Sequence, residues 1–569
     1  MFRIPYGESN FEFIRNKHFL YVDKTHFLEQ LESTGKLIHL RPRRFGKSLF
    51  ISMIESYYDV ASAEKFDSLF KGLHVHEQPT PYRNSYYILR FNFSGIGTQD
   101  FETIMGGFFE KVRSAISLFI SKYKLDISVE GHQTPATRLN ALLSAFAELN
   151  LKHKIYILID EYDHFTNAVL NNGLDEFMSL VTRGGAVRSF YEVIKEKSEI
   201  GVVERFFMTG VMSVSLDSMT SGFNVGSNIT TKKQFADMMG FTSDEVKCIL
   251  KTTLQNSKKA AALLTEAEQA EVYEIWKQNY NGYLFSEDSD VKVFNSTLIM
   301  YYLQHYVEEK RHPSSLIDPN LNQSGSTIKQ LAELKNREFN YTVVEEIVKE
   351  KVVSGALSPF IDIDKKYDRN DFITLLFNIG LLTIKEAGVR TKFEMPNKII
   401  EAIYLQYLSE LEQRRLGCKL DVLEQELAID EIAEDGKIDK LTTVVSEFLM
   451  HTSGRNKINF DEKYIKLIYS FIMSTTQQYF IYDEYPCRQG YGDLVVLKTP
   501  ASYATYELLL ELKYLKQRDT TEESIQKKFE EGLKQIEGYM KDKRLAQRPN
   551  LKRFVVVFSG FEVAKLEEV

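Results

Sequence analysis

Cysteine is scarce. Cys248, Cys418 and Cys487 are isolated, with no C-x-x-C pair and no metal-ligand spacing, which argues against a disulfide scaffold or zinc ribbon and points to a reducing, cytoplasmic setting. No uncharged apolar run reaches the roughly 18 residues a membrane span needs, so neither a transmembrane anchor nor a membrane partner is expected. The opening residues, MFRIPYGESNFEF, lack the basic-then-apolar order of a secretion leader. Positive charge is not in excess either: 71 Lys and Arg stand against 79 Asp and Glu, a net charge of −8. That is not the signature of a nucleic-acid coat protein, so any nucleic-acid contact must fall on local basic patches. No internal repeat stands out. At 569 residues, 43% hydrophobic and 26% charged, the chain is too long for one core and reads as a globular protein of several domains.

The most informative stretch is Lys36 to Tyr58, KLIHLRPRRFGKSLFISMIESYY. An apolar run enters a turn at Pro42, the turn reaches Gly46-Lys47-Ser48, and an amphipathic segment follows. This order predicts strand, loop, helix. A polyphosphate needs backbone N–H donors, a lysine for its outer oxygens and a hydroxyl for Mg²⁺, all at a helix N-terminus. Gly46, Lys47 and Ser48 supply these, with Arg43 and Arg44 beside them as further nucleotide contacts. The fit to G-x-x-x-x-G-K-[ST] is incomplete, because Arg41 stands where the first glycine belongs.

Downstream, KIYILIDEYD (Lys154 to Asp163) predicts a buried parallel strand ending in Asp160 and Glu161. At the carboxyl end of such a strand Asp160 would hold Mg²⁺ and Glu161 would orient or deprotonate the attacking water, while Asp163 reads better as a helix cap. Tyr86 to Phe93 and Arg205 to Ser215 are two more strands, the second carrying Thr209 as a candidate γ-phosphate sensor or a plain strand end. Helices are expected at Gln99 to Tyr123 and Ala136 to Leu149, and the alternation argues a right-handed parallel α/β sheet. Ser221 to Thr230 reads as a loop near the nucleotide. Asp23 and Lys24 read as holding their segment down.

Further on, the pattern turns helical from Phe235. Thr242 and Glu245 form a capping box, and NYNGYLF (Asn279 to Phe285) is an aromatic turn read as packing. His312 to Ser326 is linker-like. A helix with strands near Leu381–Ile384 and Lys392–Met395 suggests a winged helix used for packing, and Leu420 to Gly436 a solvated acidic spacer.

The C-terminal part carries a second constellation. Asp493 opens a buried strand within RQGYGDLVVL, and Glu511 and Lys513 end YELLLELK two residues apart, hence on one strand face. Asp493 and Glu511 would share Mg²⁺, leaving Lys513 to position or deprotonate a water. Gln535 and Tyr539, four apart, share a helix face; Glu484 is a weaker candidate acid. The basic run Lys516, Lys527, Lys528, Lys534, Lys541, Lys543 and Arg544 reads either as a phosphate track or as a solvated face.

The motifs RPRRFGKS, YVDKT (Tyr21 to Thr25), IDEYD and YNGY, with the later Asp493, Glu511 and Lys513, resemble the bacterial AAA-ATPase-like proteins that end in a PD-(D/E)XK nuclease-like domain; Gln535 and Tyr539 resemble the Q-x-x-x-Y element of RecB-like nucleases. That family also tolerates arginine at the first Walker A position, whereas His164-Phe165 departs from its usual proline. The resemblance implies a P-loop NTPase parallel sheet over 1–232, a helical and winged-helix region over 233–410, a helical spacer over 411–455 and a restriction-endonuclease-like α/β domain over 456–569. It also implies ATP and Mg²⁺ as cofactors and DNA as partner, with defence or mobile-element biology as a setting. Three readings stay open: an ATP-coupled nuclease, a nucleotide switch whose nuclease-like domain binds without cutting, and nucleotide binding without turnover. Arg43, Arg44 and Arg205 are the arginine-finger candidates in this chain, and homo-oligomerisation is open.

Overall fold

The computed structural model describes residues 3–97, 99–163, 185–212, 226–256, 265–318, 328–329, 331–333, 337–358, 361, 367–452, 461–474, 476, 478–487 and 490–569. His164-Phe165, residues 213–225, most of the linker after Asp318, and Arg488 with Gln489 lie outside them. Two compact units emerge, one of Met1–Val307, Gln330–Asn340 and Val352–Asn397, the other of Glu308–Lys329, Tyr341–Lys351 and Lys398–Val569. Among the described residues no helix is long and apolar enough to cross a membrane, and the three cysteines are unpaired.

The first unit is built on a five-stranded parallel sheet of β1 (Lys36–Leu40), β2 (Tyr86–Asn92), β3 (Lys154–Asp160), β4 (Val203–Gly210) and β5 (Ser227–Asn228). Its order is β2-β3-β4-β1-β5. Near-continuous apolar runs suit strands covered on both faces. Helix α1 (Lys47–Tyr58) lies over the face that carries Arg90, which reaches its Glu55. The alternate residues Phe91 and Phe93 meet Phe190 of α4 (Ala186–Glu199) on the other face. That side is completed by α2 (Phe101–Tyr123) and α3 (Pro135–Glu148), the latter opened by a capping box at Thr134 and Thr137. One expectation is corrected: part of the Ser221–Thr230 loop is the edge strand β5, paired with β1. Gly226 permits it, because a Cβ there would sit 2.9 Å from Ile38 Cδ1.

The helical region continues this unit. Thr242 and Glu245 exchange backbone-to-side-chain bonds, and Lys24 reaches Glu245 at 2.7 Å and the Asp237 carbonyl at 2.8 Å. Asp23 accepts from the backbone N–H groups of Thr25 and His74, so both charged residues of YVDKT tie their segment down. Within the aromatic turn Tyr280 and Tyr283 are buried, and Gly282 has φ +101° with the Pro396 carbonyl occupying the place a Cβ would take. An L side chain fits neither the angle nor the space. Gly282→Ala is expected to destabilise this unit by about 2–4 kcal/mol, and a urea midpoint unchanged from wild type would refute the assignment. The winged-helix hairpin is present as α5 (Arg369–Asn378), β7 (Thr383–Glu386) and β8 (Thr391–Glu394), with the unforeseen β6 (Val353–Gly355) pairing with β8. Lys385 and Lys392 are paired with Glu394 and Glu386, which suits packing rather than a phosphate backbone.

The second unit holds a mixed sheet of β9 (Tyr479–Cys487), β10 (Gly490–Lys498), β11 (Glu507–Leu515), β12 (Leu551–Ser559) and β13 (Glu562–Glu568), in the order β13-β12-β11-β10-β9. β11 and β12 are parallel; the other pairs are antiparallel. Helix α6 (Glu462–Met473) places Tyr469 against Phe558. Helix α7 (Glu522–Tyr539) covers Val495, Leu509, Val555 and Val557 with Phe529, Ile536 and Tyr539. Gly532 lets it come close, since a Cβ there would meet Val555 at 2.7 Å. The stretch expected as a solvated spacer is instead a packed helix, Val422–Asp435, whose Ala428, Ile429 and Ile432 are buried. Their helical spacing gives the acidic segment one apolar face.

Candidate functional site

The register brings the carboxyl ends of β1, β3 and β4 to one edge of the first sheet, where the loop from Arg41 to Gly46 leaves β1. Arg41 is turned inward. Its guanidinium donates to the carbonyls of Leu40 (2.9 Å), Thr230 (2.7 Å), Phe235 (2.9 Å) and Ala236 (3.3 Å) and lies 4.2 Å over the Phe285 ring. It therefore anchors the loop from behind. Burial lowers its pKa to about 9, against the pull of Asp237.

Several other residues shape the loop. Arg44 has φ +69° and Gly46 φ +89°. The Arg44 carbonyl accepts from Ser296 Oγ (3.3 Å) and Thr297 Oγ1 (2.9 Å), and the Phe45 carbonyl from the Gly240 N–H (3.1 Å). In a trans peptide the N–H points opposite to its carbonyl, so the amides of Phe45 and Gly46 face away from these ties. They meet the N-terminus of α1, an anion-binding arrangement. Lys47 is buried, with its ammonium on the Arg41 (3.0 Å) and Pro42 (2.8 Å) carbonyls. Burial pushes its pKa down to about 8, opposed by Asp163, Glu161 and Asp160. Arg43 is exposed and Arg44 half-buried.

Asp160 is fully buried, and neither carboxylate oxygen has a hydrogen-bond partner among the described residues. Burial raises its pKa, opposed by Ser48, Arg90 and Lys47; Arg90 Nη2 lies 3.8 Å away. An orphaned carboxylate beside Ser48 and Lys47 fits a divalent cation with a polyphosphate. Glu161 follows with φ +52°, a conformation an L residue keeps only where its surroundings fix it. Asp163 caps backbone, but that of the segment after β4: Oδ2 accepts from Val211 N (3.0 Å) and Met212 N (2.7 Å). Thr209 donates its hydroxyl to the His39 carbonyl at 2.7 Å, stitching β4 to β1. Arg205 binds the Glu32 carbonyl and the Tyr86 hydroxyl at 2.9 Å each, which commits it to the sheet.

The second centre lies where β10 leaves its neighbours. Its pairing with β9 runs through Gly492↔Tyr485 and Leu494↔Asp483 but omits the opposed Asp493 and Glu484, and its pairing with β11 ends at Leu494↔Leu510. Glu484 has φ +64°. Asp493 fills the fork, accepting from the Leu512 N–H through Oδ2 at 3.1 Å. Glu511 is fully buried; its Oε1 accepts from Lys513 Nζ at 2.6 Å, while Oε2 has no partner among the described residues. Burial first and Asp493 second push its pKa up to about 8 against Lys513. Lys513 also reaches the Leu512 carbonyl (3.2 Å), Glu462 (3.7 Å) and Asp493 (3.9 Å).

Two adjacent acids, one of them with a buried oxygen unsatisfied, suit a divalent cation. Among the described residues no group of three or more His, Cys, Asp or Glu side chains forms a ready-made metal site. Water and phosphate oxygens would therefore complete the coordination. Tyr539 is buried with Glu511 and Asp493 as charged neighbours, whereas Gln535 is exposed. In the basic run, Lys528 pairs with Glu531 and Arg544 with Asp542.

Sequence reasoning missed Gly240, Ser296, Thr297 and Arg90 at the first centre, and Glu462 and Lys466 at the second. The last two left a trace. They are charged residues four apart, hence on one face of the helix, among the apolar Ile465, Leu467 and Ile468.

Comparison with known proteins agrees with this division. Residues 5–220 match the family described as predicted AAA-ATPase, and residues 460–568 match the PD-(D/E)XK nuclease superfamily. An uncharacterized protein in the vnfD 5' region of Azotobacter chroococcum mcd 1 is 26% identical over 427 residues, covering 72% of this chain and 71% of that one. The matched segments carry the two centres, and the chain accordingly joins a domain of the predicted AAA-ATPase family to one of the PD-(D/E)XK nuclease superfamily.

Proposed function

We propose that the protein binds and hydrolyses ATP with Mg²⁺ at the first centre and cuts DNA with Mg²⁺ at the second. The observation that carries the nuclease reading is the Glu511 carboxylate, buried with one oxygen on Lys513 and the other unpartnered beside Asp493. Asp493 and Glu511 would hold the metal, which when bound supplies Lewis-acid polarisation of the phosphate. Lys513, fixed by Glu511 and the Leu512 carbonyl, orients a water whose oxygen attacks phosphorus as the bond to the leaving oxygen breaks, the proton the water gives up passing through solvent to that oxygen. At the first centre Lys47 and the Phe45 and Gly46 amides would bind phosphate oxygens, Ser48 and Asp160 the metal, and Glu161 would orient the hydrolytic water. Cys248, Cys418 and Cys487, unpaired, support a cytoplasmic location.

Exposed Gln535 favours a second reading, in which the nuclease-like domain binds nucleic acid or protein without cutting and ATP acts as a switch. Cleavage of linear and circular DNA with Mg²⁺ or Mn²⁺, with and without ATP, separates the two. Metal-dependent cutting that falls at least about 10²-fold in Lys513→Ala is expected, and Lys47→Ala should abolish ATP turnover. Phosphate release without cutting of any substrate would replace the first reading with the second.

A further inference from the structure

The fork at Asp493 has a second ammonium that the nuclease motif does not account for. Lys466, one turn after Glu462 on α6, lies 3.4 Å from Glu484 Oε1 and 4.0 Å from Asp493 Oδ1, with its side chain 12% exposed. A nearly buried ammonium is costly unless close acceptors take its protons. Both contacts are longer than the roughly 2.7–2.9 Å of a charge-assisted bond, whereas Lys513 has such a bond at 2.6 Å. Lys513 approaches Oδ2 of Asp493 and Lys466 approaches Oδ1. A phosphate brought to that carboxylate's metal would come within reach of both ammoniums.

We propose that Lys466 is a catalytic residue of this centre, binding a non-bridging oxygen of the phosphate at which the chain is cut. This rests on the nuclease reading above. It explains why α6 begins at the fork, and why Lys466 sits between two acids without bonding closely to either.

The test uses the full chain. Binding of a labelled DNA duplex is measured against NaCl concentration, with Ca²⁺ replacing Mg²⁺ to suppress cutting, and cutting rates are measured separately in Mg²⁺. Lys466→Gln is expected to flatten the slope of log K against log salt by about 0.9, one phosphate contact on a duplex. Cutting should slow about 10²-fold in kcat/KM, with KM rising as the phosphate contact is lost, while Lys466→Arg keeps the wild-type slope. A lysine that only supported the fold would leave the slope unchanged. Its contacts are long, so Lys466→Gln should melt close to wild type; Lys466→Met, of similar volume, is the second variant. If wild type binds and cuts DNA and both variants keep its slope and rate, this inference fails and the nuclease reading stands. A wild type that neither binds nor cuts overturns both.

Discussion

Changing Arg41 to glycine, the residue that the G-x-x-x-x-G-K-[ST] pattern carries at that position, is expected to destabilise the first unit by about 3–5 kcal/mol and to abolish ATP binding rather than improve it. Four carbonyls, of Leu40, Thr230, Phe235 and Ala236, receive the guanidinium. Glycine would leave these acceptors without it and remove the plane stacked on Phe285. It would also free the loop's backbone just where Arg44 and Gly46 must hold left-handed angles. Arg41→Lys should recover little, since one ammonium cannot replace a fork reaching four acceptors. Urea unfolding and titration with a fluorescent ATP analogue measure both effects. A glycine variant as stable as wild type, binding ATP equally well or better, would show that Arg41 merely occupies a place the motif leaves to glycine.

Glu511→Gln is expected to make the metal-free protein more stable at pH 8.5 while abolishing its cutting activity. The Glu511 carboxyl is pushed up to about 8 from an ordinary 4.5. Between those values the folded chain keeps a proton that the unfolded chain has released, so stability falls as pH rises through that window. Glutamine cannot ionise and escapes the loss. The gain, discounted for the coupled Lys513, is about 1–3 kcal/mol at pH 8.5 and near zero at pH 4.5. Mg²⁺ should stabilise wild type more than the variant, which keeps only the first centre. Melts in EDTA and in Mg²⁺ at both pH values read this directly. Equal pH dependence in the two proteins would place the titration elsewhere.

The residues proposed for both centres were legible from local motifs because those motifs are short in sequence. Gly46, Lys47 and Ser48 are consecutive, Asp160 ends an unmistakable apolar strand, and Glu511 and Lys513 share a strand face through simple alternation. Each lies where that periodicity puts it. What sequence could not supply were partners set by tertiary approach. Gly240, Ser296 and Thr297 reach the loop from about 190 residues or more downstream, and nothing in their own surroundings marks them. Gln535 and Tyr539 share a helix face by number alone, yet Tyr539 is buried beside Glu511 and Gln535 is exposed. Four residues of helix span about 400° of rotation, so two side chains forty degrees apart can fall on either side of a packing boundary. The edge strand β5 was hidden in a glycine- and asparagine-rich run, where composition favours a loop and one close approach at Gly226 decides otherwise.

The outward ties of the Arg44 and Phe45 carbonyls bear on how this chain can be recombined. A chimaera that takes residues 1–232 from a relative and the remainder from this protein would keep every letter of the GKS and IDE motifs. It would still separate the loop from Gly240, Ser296 and Thr297, which hold its carbonyls. Unless those positions travel with the loop, the hybrid inherits a nucleotide motif whose amides nothing orients. Useful crossover points therefore lie beyond Asn397, where the first unit ends.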